Sequence, residues 1–290
     1  MICNICPRNC GAERTGTKTG GFCRMPSVPV AARAMLHQWE EPCLVGDWGA
    51  GCVFFSGCNL RCRFCQNGTI SQGNVGKTLT ARRLREIFQE LIAQGAACLD
   101  LVTPTHFTPV ILEALGNEPW PVPVVWNSGG YEKPETLWLL EGKVQVYLPD
   151  LKYALPGPAK RYSAAEDYFD WASAAILEMF RQTGPYRMAN GALKSGVLIR
   201  HLILPGELEN TRRVIDWVAE TFRPGDVLFS LMSQYTPQPG AAGNLARHVT
   251  KAEYRAAVQY MENCGIVDGY TQERTSAKEE YTPEFDLGGI

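Results

Sequence analysis

Three cysteines that could hold a metal cluster lie in one short loop. Cys58, Cys62 and Cys65 are spaced C-x3-C-x2-C and directly follow the apolar run 51–56, which is typical of a buried strand. A tetrahedral zinc site needs four ligands, usually in two close pairs, and this loop offers three without an obvious fourth. Thiolates in such a run are the usual ligands of iron-sulfur clusters, so we predict a cluster with one iron open for a substrate or cofactor.

A second group of cysteines lies near the amino terminus. Cys3, Cys6, Cys10 and Cys23 are four ligands, which is enough to close a complete site. The residues between them are rich in Gly, Thr and Lys and cannot form a core, so a bound metal would supply the folding energy that this segment lacks. A structural zinc ion and an auxiliary iron-sulfur cluster both fit this pattern, and loose surface thiols are the third alternative.

The cluster loop carries a resemblance to a known superfamily. Its cysteines resemble the C-x3-C-x-aromatic-C motif of radical S-adenosylmethionine (radical SAM) enzymes, with Phe64 in the aromatic position. The continuation Cys65-Gln66-Asn67, followed by Ile70-Ser71-Gln72, is similar to the subgroup named after pyruvate formate-lyase activating enzymes. The resemblance implies a [4Fe-4S] cluster and S-adenosylmethionine (SAM) as cofactors, with three catalytic cluster ligands: Cys58, Cys62 and Cys65.

The resemblance also implies a reaction. In this superfamily the open iron chelates the amino and carboxylate groups of SAM, and the reduced cluster passes an electron to the sulfonium. The S–C5′ bond breaks, and the resulting 5′-deoxyadenosyl radical abstracts hydrogen. We predict an activase for a glycyl radical enzyme, with radical chemistry on a small molecule or peptide as the alternative. A non-catalytic iron-sulfur or zinc binding module is the alternative from another class.

Alternating apolar runs and helical patterns indicate an α/β fold. The 290 residues, 45% of them hydrophobic, suit a globular domain of barrel size with a small appendage. Six apolar runs, each followed by a helical pattern, predict parallel strands. Six units match the partial (β/α)6 TIM-like barrel that the resemblance implies. We predict a Cys-rich metal-binding extension over 1–45 and a partial barrel with a C-terminal tail over 46–290. The predicted strands are 51–56, 99–102, 122–126, 144–148, 197–204 and 227–232.

Capping residues mark the beginnings of several predicted helices. Thr80 precedes an apolar stripe with helical spacing. The capping-box sequences at 163–166 and 250–253 predict two further helices, the first of which runs toward Phe180. The polar tail from 268 onward is predicted either to cover the mouth of the barrel or to fray.

Polar residues follow each predicted strand, at the end where β/α barrels carry their chemistry. The segment from Thr103 to His106 occupies the place where similar enzymes bind the amino group of SAM, although it lacks their Gly-Gly-Glu run. Backbone carbonyls near Thr103 would take this role, while His106 either faces the substrate or orders the loop. Asn127 and Ser128 resemble a segment whose side chains approach the ribose or carboxylate of SAM.

Two further strand ends carry charged residues. Asp150 and Lys152 are two apart, so both side chains point to the same side of an extended chain. They resemble the Asp-x-Lys of activating enzymes, where Lys pairs with the carboxylate of SAM, and a mutual salt bridge is the alternative. Arg200 and His201 are adjacent and must point to opposite sides. We predict Arg200 as a ligand of SAM or substrate and His201 as a core residue.

Composition gives further expectations about partners and location. The formal net charge is -2 and the pI is about 6.1, so nothing favours a nucleic-acid or membrane partner. No apolar stretch reaches the roughly 18 residues of a membrane span, and no export signal is apparent. We therefore predict a cytoplasmic protein that receives electrons from a reductant such as flavodoxin or ferredoxin.

Overall fold

The structure, a computed structural model, describes residues 2–272 and 283–290 of the chain. One β-sheet runs through this part, and most of its strands are parallel. Each of the six predicted strands is present within a few residues of its expected position, and the predicted α/β class is confirmed. The strands are β1 Val30–His37, β2 Ala50–Phe55, β3 Lys77–Thr78, β4 Leu99–Val102, β5 Val124–Ser128, β6 Val146–Pro149, β7 Arg187–Ala189, β8 Ala192–Leu202, β9 Leu228–Met232 and β10 Gly269–Thr271.

Helices connect the parallel strands and cover the sheet. In the described segments, no helix is both long and apolar enough to cross a membrane. The α-helices are α1 Pro42–Val45, α2 Gly68–Ser71, α3 Ala81–Ala93, α4 Thr108–Leu115, α5 Pro134–Leu137, α6 Pro156–Ser163, α7 Tyr168–Thr183, α8 Leu208–Thr221 and α9 Lys251–Asn263.

The sheet has the strand order β10-β9-β8-β6-β5-β4-β2-β1-β3, and β7 pairs with β8 outside this path. Pairing is parallel from β2 to β10, whereas β1 is antiparallel to both β2 and β3. Between residues 2 and 272, no pairing joins β3 to β10, so the sheet is open, as expected for a partial barrel. Because the central strands are parallel, their following loops all emerge at one edge.

The two faces of the sheet have different coverings, because side chains alternate between the faces along each strand. On the outer face, Val53 and Leu101 belong to the larger hydrophobic cluster, which includes the apolar sides of the long helices. On the inner face, Phe54 and Val125 join a smaller cluster with Leu44 of α1. Helix α1 therefore lies on the inner side of the sheet.

Helix α1 closes this inner side at the amino-terminal ends of the parallel strands. Because β1 is antiparallel to β2, His37 at its end pairs with Ala50 at the start of β2. The chain then enters α1, where the carbonyl of Leu44 accepts a hydrogen bond from the thiol of Cys98, directly before β4, at 3.4 Å. The loop that follows β2 emerges at the opposite edge.

Two predicted helix caps are confirmed and one is wrong. The side chain of Thr80 accepts a hydrogen bond from the backbone of α3, and Thr250 forms a complete capping box at α9. The helix predicted to begin at Ser163 begins instead at Tyr168, because α6 ends at Ser163. The hydroxyl of Ser163 bonds the thiol of Cys62 rather than a helix N-terminus.

The amino-terminal segment has little regular structure before β1. Isolated bridges join Ile2 to Glu13 and Gly20 to Met25. The predicted boundary at residue 45 stays a prediction, although β1, which precedes it, already pairs with β2 in the sheet. The Cys-rich part proper is therefore the irregular segment before Val30.

The predicted tail lies only partly within the described residues. Its first part forms β10 beside β9. Near the end of the chain, the amide of Leu287 donates to the carbonyl of Ala32 at 3.0 Å, and the amide of Ala34 donates to the carbonyl of Gly288 at 2.9 Å. The last residues thus lie along β1, while residues 273–282, including Glu279, lie outside the described part.

Candidate active site

A cavity of about 380 Å³ lies on the inner side of the sheet and reaches the carboxyl ends of the parallel strands. Its volume is within the range of small-molecule sites. Residues from the loops after β2, β4, β5, β6 and β9, and from strand β8 itself, contribute to its lining. The lining includes every predicted cluster ligand of the loop and every predicted cofactor-binding residue, which are Cys58, Cys62, Cys65, Phe64, Thr103, Asn127, Ser128, Asp150, Lys152 and Arg200.

Each thiol of the cluster loop has a hydrogen-bond donor directed at its sulfur. None of the three forms a disulfide. A sulfur that accepts hydrogen bonds is stabilised as the thiolate that metals bind, and such bonds also tune cluster potentials. The bonds run from the amide of Leu60 to Cys58 at 3.3 Å, from the hydroxyl of Ser163 to Cys62 at 3.0 Å, and from the hydroxyl of Ser71 to Cys65 at 3.4 Å.

The loop fits an iron-sulfur cluster better than a single zinc ion. Burial raises the pKa of all three thiols, and the ammonium of Lys152 opposes this shift. Because a buried thiolate needs a nearby positive charge, a metal center would take the place of the protons on these sulfurs. In the part of the chain described, no three His, Cys, Asp or Glu side chains converge closely enough for one metal ion. Zinc at about 2.3 Å from each sulfur would hold the sulfurs within about 4 Å of one another, whereas a cluster binds each through a different iron.

Phe64 packs beneath the loop. Its ring contacts Tyr153 and Tyr162 edge-on, with centroid distances of 6.3 and 6.2 Å. Aromatic contacts of this geometry stabilise a buried loop by about 1 kcal/mol each beyond area burial. Phe64 therefore orders the loop between Cys62 and Cys65 from within the larger hydrophobic cluster.

Thr103 lies at the carboxyl end of β4 in a left-handed conformation, with φ of 62°. A β-branched residue in this region is strained by roughly 1–2 kcal/mol and persists where surrounding contacts enforce it. The amide of Thr103 donates to the carbonyl of Asn127 at 2.8 Å, which fixes the turn. The strained backbone lines the cavity, in line with the predicted use of its carbonyl.

Arg200 is the center of a buried polar network. Its guanidinium donates to Asp150 at 2.9 Å, to Glu40 at 3.0 Å and to the amide oxygen of Asn127 at 2.7 Å. The Arg200 side chain is 14% exposed. Its predicted position in the cavity agrees with the structure, but its donors are shared among three protein partners.

Asp150 and Lys152 form a salt bridge and both line the cavity. Both side chains therefore lie on one side, as the alternation of an extended chain predicted. They also form the mutual salt bridge that was the alternative. Although burial opposes ionisation, Arg200 and Lys152 hold the pKa of Asp150 below its usual value. Lys152 keeps its charge, because Asp150 and the nearby thiols raise its pKa despite burial.

Ser128 lines the cavity, but its hydroxyl is committed elsewhere. It donates to the buried carboxylate of Glu132 at 2.7 Å, which also accepts from Thr105 and Trp126 at 2.8 Å. The following turn requires glycine at Gly130, where φ is 76° and a Cβ would lie 2.3 Å from a backbone oxygen. Ser128 thus supports the turn after β5, and its role toward a cofactor stays a prediction.

The two predicted histidines are buried and lie outside the lining. The Nε2 of His106 is 2.8 Å from the carbonyl of Ser56, and burial lowers the pKa of His106 to about 3. The ring of His201 lies 2.7 Å from the carbonyl of Leu151 and 3.0 Å from the hydroxyl of Thr211, and burial lowers its pKa to about 4. His106 therefore orders its loop, and His201 is a core residue as predicted.

The sequence analysis missed acidic residues that reach the cavity. Glu40 and Glu41 line it, although the sequence analysis assigned neither of them a role. Asp100 on β4 accepts hydrogen bonds from Asn127 and from the thiol of Cys52. Pro42 could have indicated a helix start, but nothing in the local pattern places that helix inside the sheet.

The four amino-terminal cysteines lie near one another. Burial raises the pKa of Cys6 to about 11, and the charges of Cys23, Cys3 and Cys10 add to this shift. The guanidinium of Arg14 donates to the sulfur of Cys3 at 3.3 Å. In the described residues these thiols do not converge closely enough for one metal ion, so both the shared site and its metal stay predictions.

The amino-terminal segment contacts the cluster loop directly. Arg8 donates to the carbonyl of Asn59 and to that of Ser163, each at 2.7 Å, and also bonds Ala164. At Gly57, which has φ of 76°, a Cβ would lie 2.3 Å from the side chain of Met25. The two cysteine groups are therefore parts of one packed unit.

Comparisons with known proteins give distant overall similarities. SuiB of Streptococcus suis, solved bound to S-adenosylmethionine, matches with a TM-score of 0.49 and 12% identity. The match covers 77% of this chain and 47% of SuiB, so the chain spans about half the length of that protein. QueE of Escherichia coli matches with a TM-score of 0.43 and 11% identity, over 84% of this chain and 93% of QueE.

Sequence comparisons concern both the whole chain and the cluster loop. An uncharacterized protein of Methanocaldococcus jannaschii is 29% identical over 276 residues, which are 91% of this chain and 75% of that protein. Residues 46–108 match the family model described as a 4Fe-4S single cluster domain. This segment contains β2, the loop with Cys58, Cys62 and Cys65, and β4. The match confirms the prediction of a [4Fe-4S] cluster as a cofactor of this chain.

Proposed function

We propose that this protein is a radical SAM enzyme that binds its cluster through Cys58, Cys62 and Cys65 and binds SAM in the adjoining cavity. The observation that carries the proposal is the presence of three free, hydrogen-bonded thiols in the same cavity as a charged network, on the inner side of a parallel sheet. When bound and reduced, the cluster supplies the electron that cleaves the S–C5′ bond of SAM to methionine and a 5′-deoxyadenosyl radical.

The charged residues would bind the methionine part of SAM. The ammonium of Lys152 has three donors, and its salt bridge with Asp150 leaves donors for a carboxylate. The backbone carbonyl of Thr103 would accept from the amino group of SAM, and its left-handed turn supports this role. The amide of Asn127 also lines the cavity, where it would approach the ribose.

The apolar part of the cavity would exclude water from the reacting atoms. Its walls include Phe54, Phe55, Ile70, Val102 and Met232. A site that excludes water protects a reactive radical from side reactions with solvent. The chain's own contribution is thus to place the cofactors and to keep the space around them dry.

Anaerobic reconstitution with iron and sulfide, followed by dithionite and SAM, tests the proposal. We expect 5′-deoxyadenosine from the wild type and loss of the product to background in Cys62→Ala, because the cluster loses one of its three ligands. Cys264→Ala is the matched control, since Cys264 lies after α9 and outside the cavity lining. Equal behaviour of wild type and Cys62→Ala without product would contradict the proposal and favour a non-catalytic module.

Electron paramagnetic resonance supplies an independent test of SAM binding. The reduced wild-type protein should give a cluster spectrum that changes when SAM is added, because SAM would bind the open iron. An unchanged spectrum at saturating SAM would contradict the proposed binding mode, even if the cluster itself is intact.

We further propose that the partner is a glycyl radical enzyme. The resemblance of residues 58–72 to activating enzymes supports this partner. Incubation of the reduced, reconstituted protein with a glycyl radical enzyme encoded nearby should produce the doublet of a glycyl radical. Product formation that depends instead on a small molecule or peptide would favour the alternative substrate. A flavodoxin or ferredoxin that replaces dithionite would identify the reductant.

A further inference from the structure

The cavity extends from the cluster loop to a floor formed by Glu40 and Glu41. Both glutamates line the same cavity as the three cysteines. They directly precede α1, at the amino-terminal ends of the parallel strands, whereas the cluster loop follows the carboxyl end of β2. The cavity therefore has the sulfurs at one end and the carboxylates of Glu40 and Glu41 at the other.

Acidic groups outnumber the basic groups of this cavity. Arg200 pairs with Glu40 and Asp150, and Lys152 pairs with Asp150. Two cations thus balance two carboxylates. Glu41 is left over: its side chain is buried, with the residue 3% exposed, and its Oε2 has no hydrogen-bond partner.

A second buried acid, Asp100 of β4, is connected to Glu40 but does not line the cavity. Asp100 is 0% exposed, and its Oδ1 also lacks a partner. The amide of Asn127 connects Asp100 to Glu40, with a distance of 3.2 Å to each carboxylate. A buried polar atom without a partner costs free energy, so the unpartnered Oε2 of Glu41 in the cavity lining points to a ligand that donates a hydrogen bond there.

The surroundings of Glu41 include one cation and several acids. Burial raises the pKa of Glu41 to about 7, and the charge of Arg200 opposes this shift. Without a ligand, its carboxyl group is therefore partly protonated near neutral pH. The titratable and charged groups that face it are Arg200 of β8, Asp150 after β6, Tyr270 of β10, and Glu40 and Cys43 on either side of it in the chain.

We propose that Glu41 binds a protonated primary amine of the substrate at the cavity floor. An ammonium group would bring Glu41 a positive charge together with hydrogen-bond donors, whereas the hydroxyl of Ser230 beside it offers only a neutral donor. A carboxylate would be repelled by the unpaired acids, and an alcohol would bring a donor without the charge. The inference rests on the proposed function and adds the substrate class, an amine whose carbon chain extends toward the cluster.

Calorimetric titration with matched small probes tests this subsite. The reconstituted protein is titrated with n-pentylamine, 1-pentanol and pentanoate at about pH 6 and about pH 8, on either side of the pKa of Glu41 near 7. We expect only the amine to bind, and about tenfold more tightly at the higher pH, because Glu41 must release its proton to pair with the ammonium.

Variants with a changed carboxylate give the decisive comparison. Glu41→Gln should weaken amine binding at least about tenfold and remove its pH dependence. Glu178→Gln is the matched control, since Glu178 is also buried but pairs with Arg181 and lies outside the cavity lining. Equal amine binding in wild type and Glu41→Gln would overturn the proposal, as would no amine binding at millimolar concentrations.

A second variant separates ligand binding from folding. Glu41→Leu and Glu41→Gln should unfold at or above the wild-type temperature at about pH 8, because each removes an uncompensated buried charge. A clear loss of thermal stability in both would make Glu41 a structural residue and overturn the subsite. Formation of 5′-deoxyadenosine by the wild type is measured separately, so failure of the proposed function is distinguished from failure of the amine subsite.

Discussion

Ser163 illustrates at the residue scale how a side chain outside the loop can affect the cluster ligands. Its hydroxyl donates to the sulfur of Cys62 at 3.0 Å and lies 2.7 Å from the hydroxyl of Tyr153. Hydrogen bonds to sulfur favour the reduced state of a cluster, because that state carries more negative charge. The sequence suggested a helix cap at this position, and its contact with the loop is visible only in three dimensions.

Removal of this hydroxyl should change the redox properties of the cluster. We expect Ser163→Ala to lower the reduction potential by on the order of 40 mV, which corresponds to one net hydrogen bond of about 1 kcal/mol. A potentiometric titration followed by electron paramagnetic resonance measures the shift. Ser163→Thr keeps the hydroxyl and should stay near the wild-type value, whereas an unchanged potential in Ser163→Ala would argue against the effect.

Glu41 links the stability of the fold to pH. Burial raises its pKa from an ordinary value of 4.5 to about 7. Between these values the unfolded chain has released the proton while the folded chain retains it, so stability falls as the pH rises through this window. The difference of 2.5 between the two pKa values corresponds to about 3 kcal/mol above pH 7.

Glu41→Gln should remove this pH dependence. Between about pH 5 and about pH 8, the midpoint temperature of thermal unfolding should fall by several degrees more for the wild type than for the variant, because a neutral amide does not titrate. Parallel curves for the two proteins would show that Glu41 does not titrate as described.

At the element scale, α1 depends on its packing rather than on its own propensity. It has four residues, far fewer than an isolated helix needs to be stable. Leu44 is 2% exposed and belongs to the inner hydrophobic cluster. Since Glu40 and Glu41 directly precede this helix, its position also sets the floor of the cavity.

Truncation of Leu44 should therefore destabilise the protein. We expect Leu44→Ala to lower the free energy of unfolding by about 2–5 kcal/mol, because it leaves a cavity in a packed cluster. Leu139→Ala is a suitable control, since Leu139 is 58% exposed and its truncation should change stability by no more than about 0.5 kcal/mol. Thermal unfolding compares the two variants, and equal midpoints would contradict the role assigned to α1.

At the scale of the whole molecule, the amino-terminal segment and the sheet support one site together. Arg8 crosses between them and donates to the carbonyl of Asn59 within the cysteine loop and to that of Ser163, whose hydroxyl contacts Cys62. Its guanidinium also lies 3.8 Å from the center of the Phe22 ring. The segment therefore stabilises the loop that holds the predicted cluster.

Loss of Arg8 should loosen the cluster without removing a ligand. We expect Arg8→Gln to increase the rate of iron release to a chelator about tenfold, because at least one charged hydrogen bond worth about 1.5 kcal/mol is lost. Arg82→Gln, which removes an exposed arginine of α3, is the control and should keep the wild-type rate. Identical release rates in Arg8→Gln and wild type would contradict the coupling.

Sequence alone determined the features that depend on one segment at a time. Strand and helix spacing predicted the parallel sheet, and period-two alternation placed Asp150 with Lys152 and separated Arg200 from His201. These predictions succeeded because the period of a strand is a local property. The cap predicted at Ser163 failed because a tertiary contact outweighed the local pattern.

Only the tertiary structure decided what lies opposite the cysteines. Glu40 and Glu41 precede a four-residue helix whose sequence does not indicate where it packs. Packing of Leu44 on the inner side of the sheet brings both glutamates to the cavity. The charge balance of that cavity depends on Glu40 before α1, Asp150 after β6 and Arg200 of β8, which are far apart along the chain. Such a balance is a property of the folded arrangement, because no local period determines which distant charges meet.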